Sequence, residues 1–127
     1  MYRTFLRKPL IFYGYYSGDA AMIDFKWSEA EKKVARRAFD AALKRECAAV
    51  MEKLKSLAAK AERPDDIWAI HDYLTAQRKT IDGKYDYRYS QLTIVFGRLL
   101  RENWIEDEDL EGLGEDKHQS IRCIASR

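Results

Sequence analysis

From Ser28 to about Glu62 the chain runs through strong helix formers without a single glycine or proline, and this stretch constrains everything around it. Trp27-Ser28-Glu29-Ala30-Glu31 opens it. The Ser28 hydroxyl can accept from the third following backbone N–H while Glu31 reaches back to the Ser28 amide, a capping box. Phe39, Leu43, Cys47, Val50, Leu54, Leu57 and Ala61 then recur at steps of three or four, the signature of one long amphipathic helix. About 34 residues at roughly 1.5 Å each make a rod near 50 Å. A compact globule of this chain would be only about 36 Å across. The rod therefore overhangs, and the shorter helices that follow cannot cover its whole apolar stripe. A second copy of the chain is the economical cover. The expectation is an all-α fold forming an elongated helical homodimer, with Leu54 and Leu57 as candidate dimer-interface residues. A bent or broken helix in a compact monomer is the alternative.

The remaining sequence fits short helices. Arg63-Pro64-Asp65-Asp66 breaks the rod, since a proline disfavours helix in the residue before it and an aspartate favours the next helix start. A second helix is expected from about Asp66 to Ile81, stopping at Asp82-Gly83. Tyr85 to Ser90 alternates aromatic and polar residues as a strand would, yet Leu92, Val95, Phe96, Leu99 and Leu100 keep helical spacing. An isolated strand would have nothing to pair with, so a third helix is expected from about Tyr85 to Asn103. A short final helix spans about Glu115 to Ile124. Residues 1–21 have a basic start and apolar residues, but Pro9, Gly14 and four tyrosines interrupt them. They read as an N-terminal arm upstream of a possible start at Met22 rather than a signal or a membrane span.

Composition narrows the function classes. The 23 basic and 21 acidic residues leave a net charge of only +2, too little for a general attraction to nucleic acid or anionic lipid, so any partner is recognised locally. Cys47 and Cys123 are far apart and form no redox or disulfide motif, which fits a reducing, cytoplasmic setting. His71 and His118 show no metal-ligand spacing. Asp107, Asp109, Glu111 and Gly112 imitate the start of a calcium loop, but His118 stands where the bidentate carboxylate belongs, so the segment reads as an acidic turn.

On a helical wheel Ile67, Ile70, Leu74 and Ile81 share one sector, the expected buried face of the second helix. Trp68 lies outside it, with His71, Asp72 and Thr75 around it and Arg78 at the border. An aromatic flanked by donors, acceptors and an arginine has the make-up of a protein-binding hot spot. Trp68 closing over the first helix or a twin subunit is the other reading. Tyr85, Tyr87 and Tyr89 suit core or interface packing with satisfied hydroxyls, or else direct recognition of a partner. No phosphate loop, nucleophile elbow or HExxH is present, and His71 and Asp72 are neighbours about 100° apart, awkward for a base and its orienter. No enzyme, cofactor or metal is expected. A nucleic-acid regulator using Lys32, Lys33, Arg36 and Arg37, or a hydrolase using His71 or Cys47, lacks a supporting motif.

Asp65 to Ser90, DDIWAIHDYLTAQRKTIDGKYDYRYS, resembles the central segment of the fluorescence recovery proteins. Trp27 to Glu31, Val95-Phe96, Trp104 and Gly112-Leu113 follow the same family order, so the resemblance covers roughly residues 22–127 as a single domain. It implies a pigment-free helical homodimer in the cytoplasm, without nucleic-acid binding or membrane insertion. Such a dimer binds the C-terminal domain of the photoactivated orange carotenoid protein and speeds its return to rest, ending phycobilisome fluorescence quenching. The family's interface patch falls on Trp68, His71, Asp72 and Arg78. Arg78 is then the first candidate for partner contact, with Asp72 beside it, while Trp68 and His71 help hold the dimer. Ile94 stands where the family has an aromatic partner-binding residue and Ser120 where it has a basic one. A helical dimeric adaptor with a different protein client is therefore the alternative.

Overall fold

A computed structural model describes residues 25–127. The expected N-terminal arm, residues 1–21, and the possible start at Met22 lie outside the described residues. The described chain is all-helical: α1 Glu29–Lys60, α2 Pro64–Lys84, α3 Leu92–Arg101 and α4 Glu115–Ala125, with a 3-10 turn at Asp107–Leu110.

α1 starts as its sequence dictates. The Glu31 amide donates to the Ser28 hydroxyl at 3.1 Å and the Ser28 amide to the Glu31 carboxylate at 3.0 Å, closing the capping box. The helix continues unbroken for 32 residues, about 48 Å. Its end is fixed from the far side of the break. The Asp66 carboxylate accepts from the backbone N–H groups of Glu62 and Arg63, both at 2.9 Å, and these bonds hold its pKa below the ordinary value.

The two halves of α1 have different surroundings. Ala35, Ala38, Phe39 and Ala42 from its first half are fully buried against Leu92, Phe96 and Leu99 of α3, Ile121 of α4, and Ile105 and Leu110 between them. Here the chain forms a head. Among the described residues the far part of the second half has α2 beside it, which folds back after a three-residue turn, and Val50, Leu54 and Leu57 are half-buried. Met51 is 53 % exposed on this arm.

Glycine is required at two places in the head. At Gly97 an added Cβ would stand 2.4 Å from Ile124 Cγ2 and 3.2 Å from the Ile121 carbonyl, so its absence is what lets α3 and α4 touch. Gly112 has a φ of +110° and sits where a Cβ would lie 2.7 Å from Val34 Cγ2. The turn that closes α3 after Arg101 passes through Asn103, whose φ of 68° is left-handed, with the Trp104 amide donating to the Leu99 carbonyl at 2.9 Å.

Two expectations are corrected. The third helix begins at Leu92 rather than Tyr85: the Asp86 amide donates to the Lys84 carbonyl and the Arg88 amide to the Asp86 carbonyl, successive three-residue turns that keep residues 85–88 out of the helix. The alternation was a true period-two signal, but the partner of this extended segment is a helix. Ile67 was expected on the buried face of α2 and is 57 % exposed; Ile81 is buried, and Ile70 and Leu74 are half-buried.

Candidate protein-interaction site

The polar face of α2 carries the sequence-predicted residues. Trp68 is 63 % exposed, and His71, Asp72, Thr75 and Arg78 are exposed beside it at helical spacing. His71 Nδ1 and Asp72 Oδ1 stand 3.7 Å apart, too far for a hydrogen bond, and both side chains face water. An indole, an imidazole, a carboxylate and a guanidinium on one open helix face have the make-up of a surface that binds another protein. Leu54 and Leu57 belong to the neighbouring stretch of α1 and keep part of their surface open.

What holds this face in place is a network that the sequence did not reveal. The Lys84 ammonium, 2 % exposed, donates to Glu46 of α1 at 2.7 Å and to Glu102 beyond α3 at 2.6 Å. Tyr85 donates its hydroxyl to the other Glu46 oxygen at 2.8 Å, and Arg98 donates to Glu102 at 2.9 Å. Burial raises the Tyr85 pKa, and the Glu46 carboxylate beside it raises it further. Burial alone would raise Glu102, but Lys84 and Arg98 outweigh it and the net shift is downward. Removing one member of such a buried set strands a charge, so the network fixes how the arm leaves the head.

Beside the network a groove of about 350 Å³ opens between the end of α2 and α3, with Lys79, Gly83, Gln91 and Ile94 among its walls. Ser120 lies half-buried on α4, and its hydroxyl has no hydrogen-bond partner among the described residues. The acidic turn is structural in part: Asp109 receives Arg45 at 3.0 Å, and that bond pulls its pKa below the ordinary value. Among the described residues no three His, Cys, Asp or Glu side chains gather as metal ligands. Cys47, part of the periodic apolar series of α1, is half-buried, and Cys123 is exposed.

A model of the family described as photoprotection regulator fluorescence recovery protein matches residues 27–125. This chain belongs to the fluorescence recovery protein family. The fluorescence recovery protein of Synechocystis sp. is 38 % identical over 99 residues, which cover 78 % of this chain and 91 % of the relative. The solved structure of the Fremyella diplosiphon fluorescence recovery protein is 38 % identical with a TM-score of 0.77, covering 80 % of this chain and all of that one. The solved Synechocystis sp. protein has the same TM-score and coverage at 37 % identity. Membership of this family makes the chain a relative of photoprotection regulators, and its all-helical fold is the fold of those structures. Among the described residues no helix is long and apolar enough to cross a membrane.

Proposed function

We propose that this protein binds the C-terminal domain of the photoactivated orange carotenoid protein and accelerates its reversion to the resting form, ending phycobilisome quenching. The observation that carries the reading is the open row of Trp68, His71, Asp72 and Arg78 on α2 in a chain of the fluorescence recovery protein family. The protein acts in the cytoplasm, as a homodimer, without chemistry at its own side chains. Tighter binding to states on the way back to rest lowers the barrier to reversion. Arg78 makes the leading partner contact with Asp72 beside it, and Trp68 and His71 help join the two copies together with Leu54 and Leu57. The dimer is supported by the half-buried leucines and the exposed Met51, Ile67 and Trp68 on an arm one chain leaves uncovered.

The test is the dark recovery rate of photoactivated orange carotenoid protein with and without this protein. Strong acceleration by the wild type, lost in Arg78→Ala while the circular dichroism is unchanged, is the expected result. A second reading, a helical dimeric adaptor for another client, is favoured by Ile94 in the wall of the groove and by Ser120 in place of a basic residue. A helical protein that leaves the recovery rate untouched would select it.

A further inference from the structure

The first turns of α1 carry Lys32, Lys33, Arg36 and Arg37 in succession, and the structure sets them against Tyr87 and Tyr89 of the extended segment that follows α2. Their geometry divides the six residues into a fixed floor and an open top. Arg36 stacks on Tyr87, its guanidinium carbon 3.6 Å from the ring centre, and is also paired with Asp40 at 3.4 Å. Lys32 lies 5.3 Å from the centre of the Tyr89 ring and pairs with Glu29 at 3.3 Å. These four residues brace one another. Lys33 and Arg37, one turn apart on α1, are exposed, and Arg37 feels the Asp109 carboxylate without a direct ion pair to it among the described residues. Tyr89 is 39 % exposed beside them.

We propose that this face of the head is a second docking surface, and that it takes a carboxylate-rich segment of a protein partner. Two exposed cations one turn apart match acidic side chains spaced along a peptide, while an arginine stacked on tyrosine and a half-open tyrosine supply the rigid contact area found at interface centres. A nucleic acid fits less well: among these rings only Tyr89 is open as a stacking platform, because Arg36 covers Tyr87. The surface belongs to the head, whereas Trp68 and His71 lie near the start of α2, beside the far end of α1. The inference therefore stands apart from the reading of the α2 face.

The experiment uses the full chain and a fluorescein-labelled oligoglutamate peptide, with an oligothymidylate of matched charge as the competing probe, both followed by fluorescence anisotropy. Salt-dependent binding of the peptide is expected, weakened about tenfold by the double substitution Lys33→Glu, Arg37→Glu, a few-fold by Tyr89→Ala, and not at all by Arg78→Ala. Both cations are exposed, and circular dichroism checks that the double variant keeps its fold. Equal binding of the peptide by wild type and double variant, or none by either, would overturn the proposal. Tighter binding of the oligothymidylate would overturn it as well and assign the face to nucleic acid.

Discussion

Glu31 does the work of two residues. Its carboxylate closes the α1 capping box at the Ser28 amide and also accepts the Gly114 amide at 2.7 Å and the Lys117 ammonium at 3.2 Å, fastening the start of α1 to the start of α4. Burial alone would raise its pKa, but the Ser28 and Gly114 amides and Lys117 together hold it at about 2, against an ordinary 4.5. A depressed carboxylate stabilises the fold fully above its unfolded value, and that contribution is lost as pH falls through the folded one. Glu31→Gln should therefore cost about 2 kcal/mol at neutral pH, discounting for the 13 % of the side chain still open to water. In urea unfolding the gap between wild type and variant should close as pH falls from about 4.5 toward 2; a gap independent of pH would refute the assignment. Half of this role was legible in advance. The capping box is a local pattern and could be read from Ser28 and Glu31, whereas Gly114 and Lys117 lie more than eighty residues away and no spacing announces them. Glu46 and Lys84 were hidden for the same reason. Each sits at a position that looks solvated in its own helix, and only the meeting of α1, α2 and the end of α3 buries it.

At the scale of elements, long periodic segments were readable and the connector between them was not. The ends of α1 and α4 fall within two residues of their expected positions, because caps and breakers act locally. The start of α3 was misplaced by seven residues, since its boundary depends on Tyr85 and Tyr87 packing edge-on to Phe39 of α1 at 5.3 and 4.9 Å. That contact is remote in sequence. The close approach of α3 and α4 was equally invisible, since Gly97 gives no sign by itself of the isoleucine it faces. Gly97→Ala forces a clash with Ile124 Cβ at 2.7 Å, which that side chain cannot escape by turning its tip. The substitution should destabilise the head by about 1–3 kcal/mol in chemical denaturation, despite alanine's better helix propensity. Adding Ile124→Ala should cost less in the Gly97→Ala background than in wild type, the non-additivity of two groups competing for one space.

For the molecule as a whole, the overhang inferred from length is present: α1 is continuous, and among the described residues its far end has α2 alone beside it. Placing Ile67 on the buried face failed at this scale, because among the described residues no third layer closes over the two-helix arm. If a second copy supplies that layer, Leu54→Glu with Leu57→Glu should turn a dimer into a monomer in light-scattering chromatography while circular dichroism stays helical. A dimer that survives both charges would place the contact elsewhere. The candidate site follows the same division. The composition of the α2 face was legible from helical spacing, whereas the angle at which the head presents it rests on the buried network.

One continuous helix that is embedded at one end and thinly covered at the other has a consequence for motion. Opening free energy within a protein varies with how much packing each segment must give up. Along α1 that quantity falls from the fully buried turn around Phe39 to the half-buried turns around Leu54 and Leu57. Fraying therefore has a direction, entering from the Lys60 end and stopping at the head. The arm can loosen and re-form while the head stays folded, so whatever covers it acts on a local equilibrium without putting the whole fold at stake.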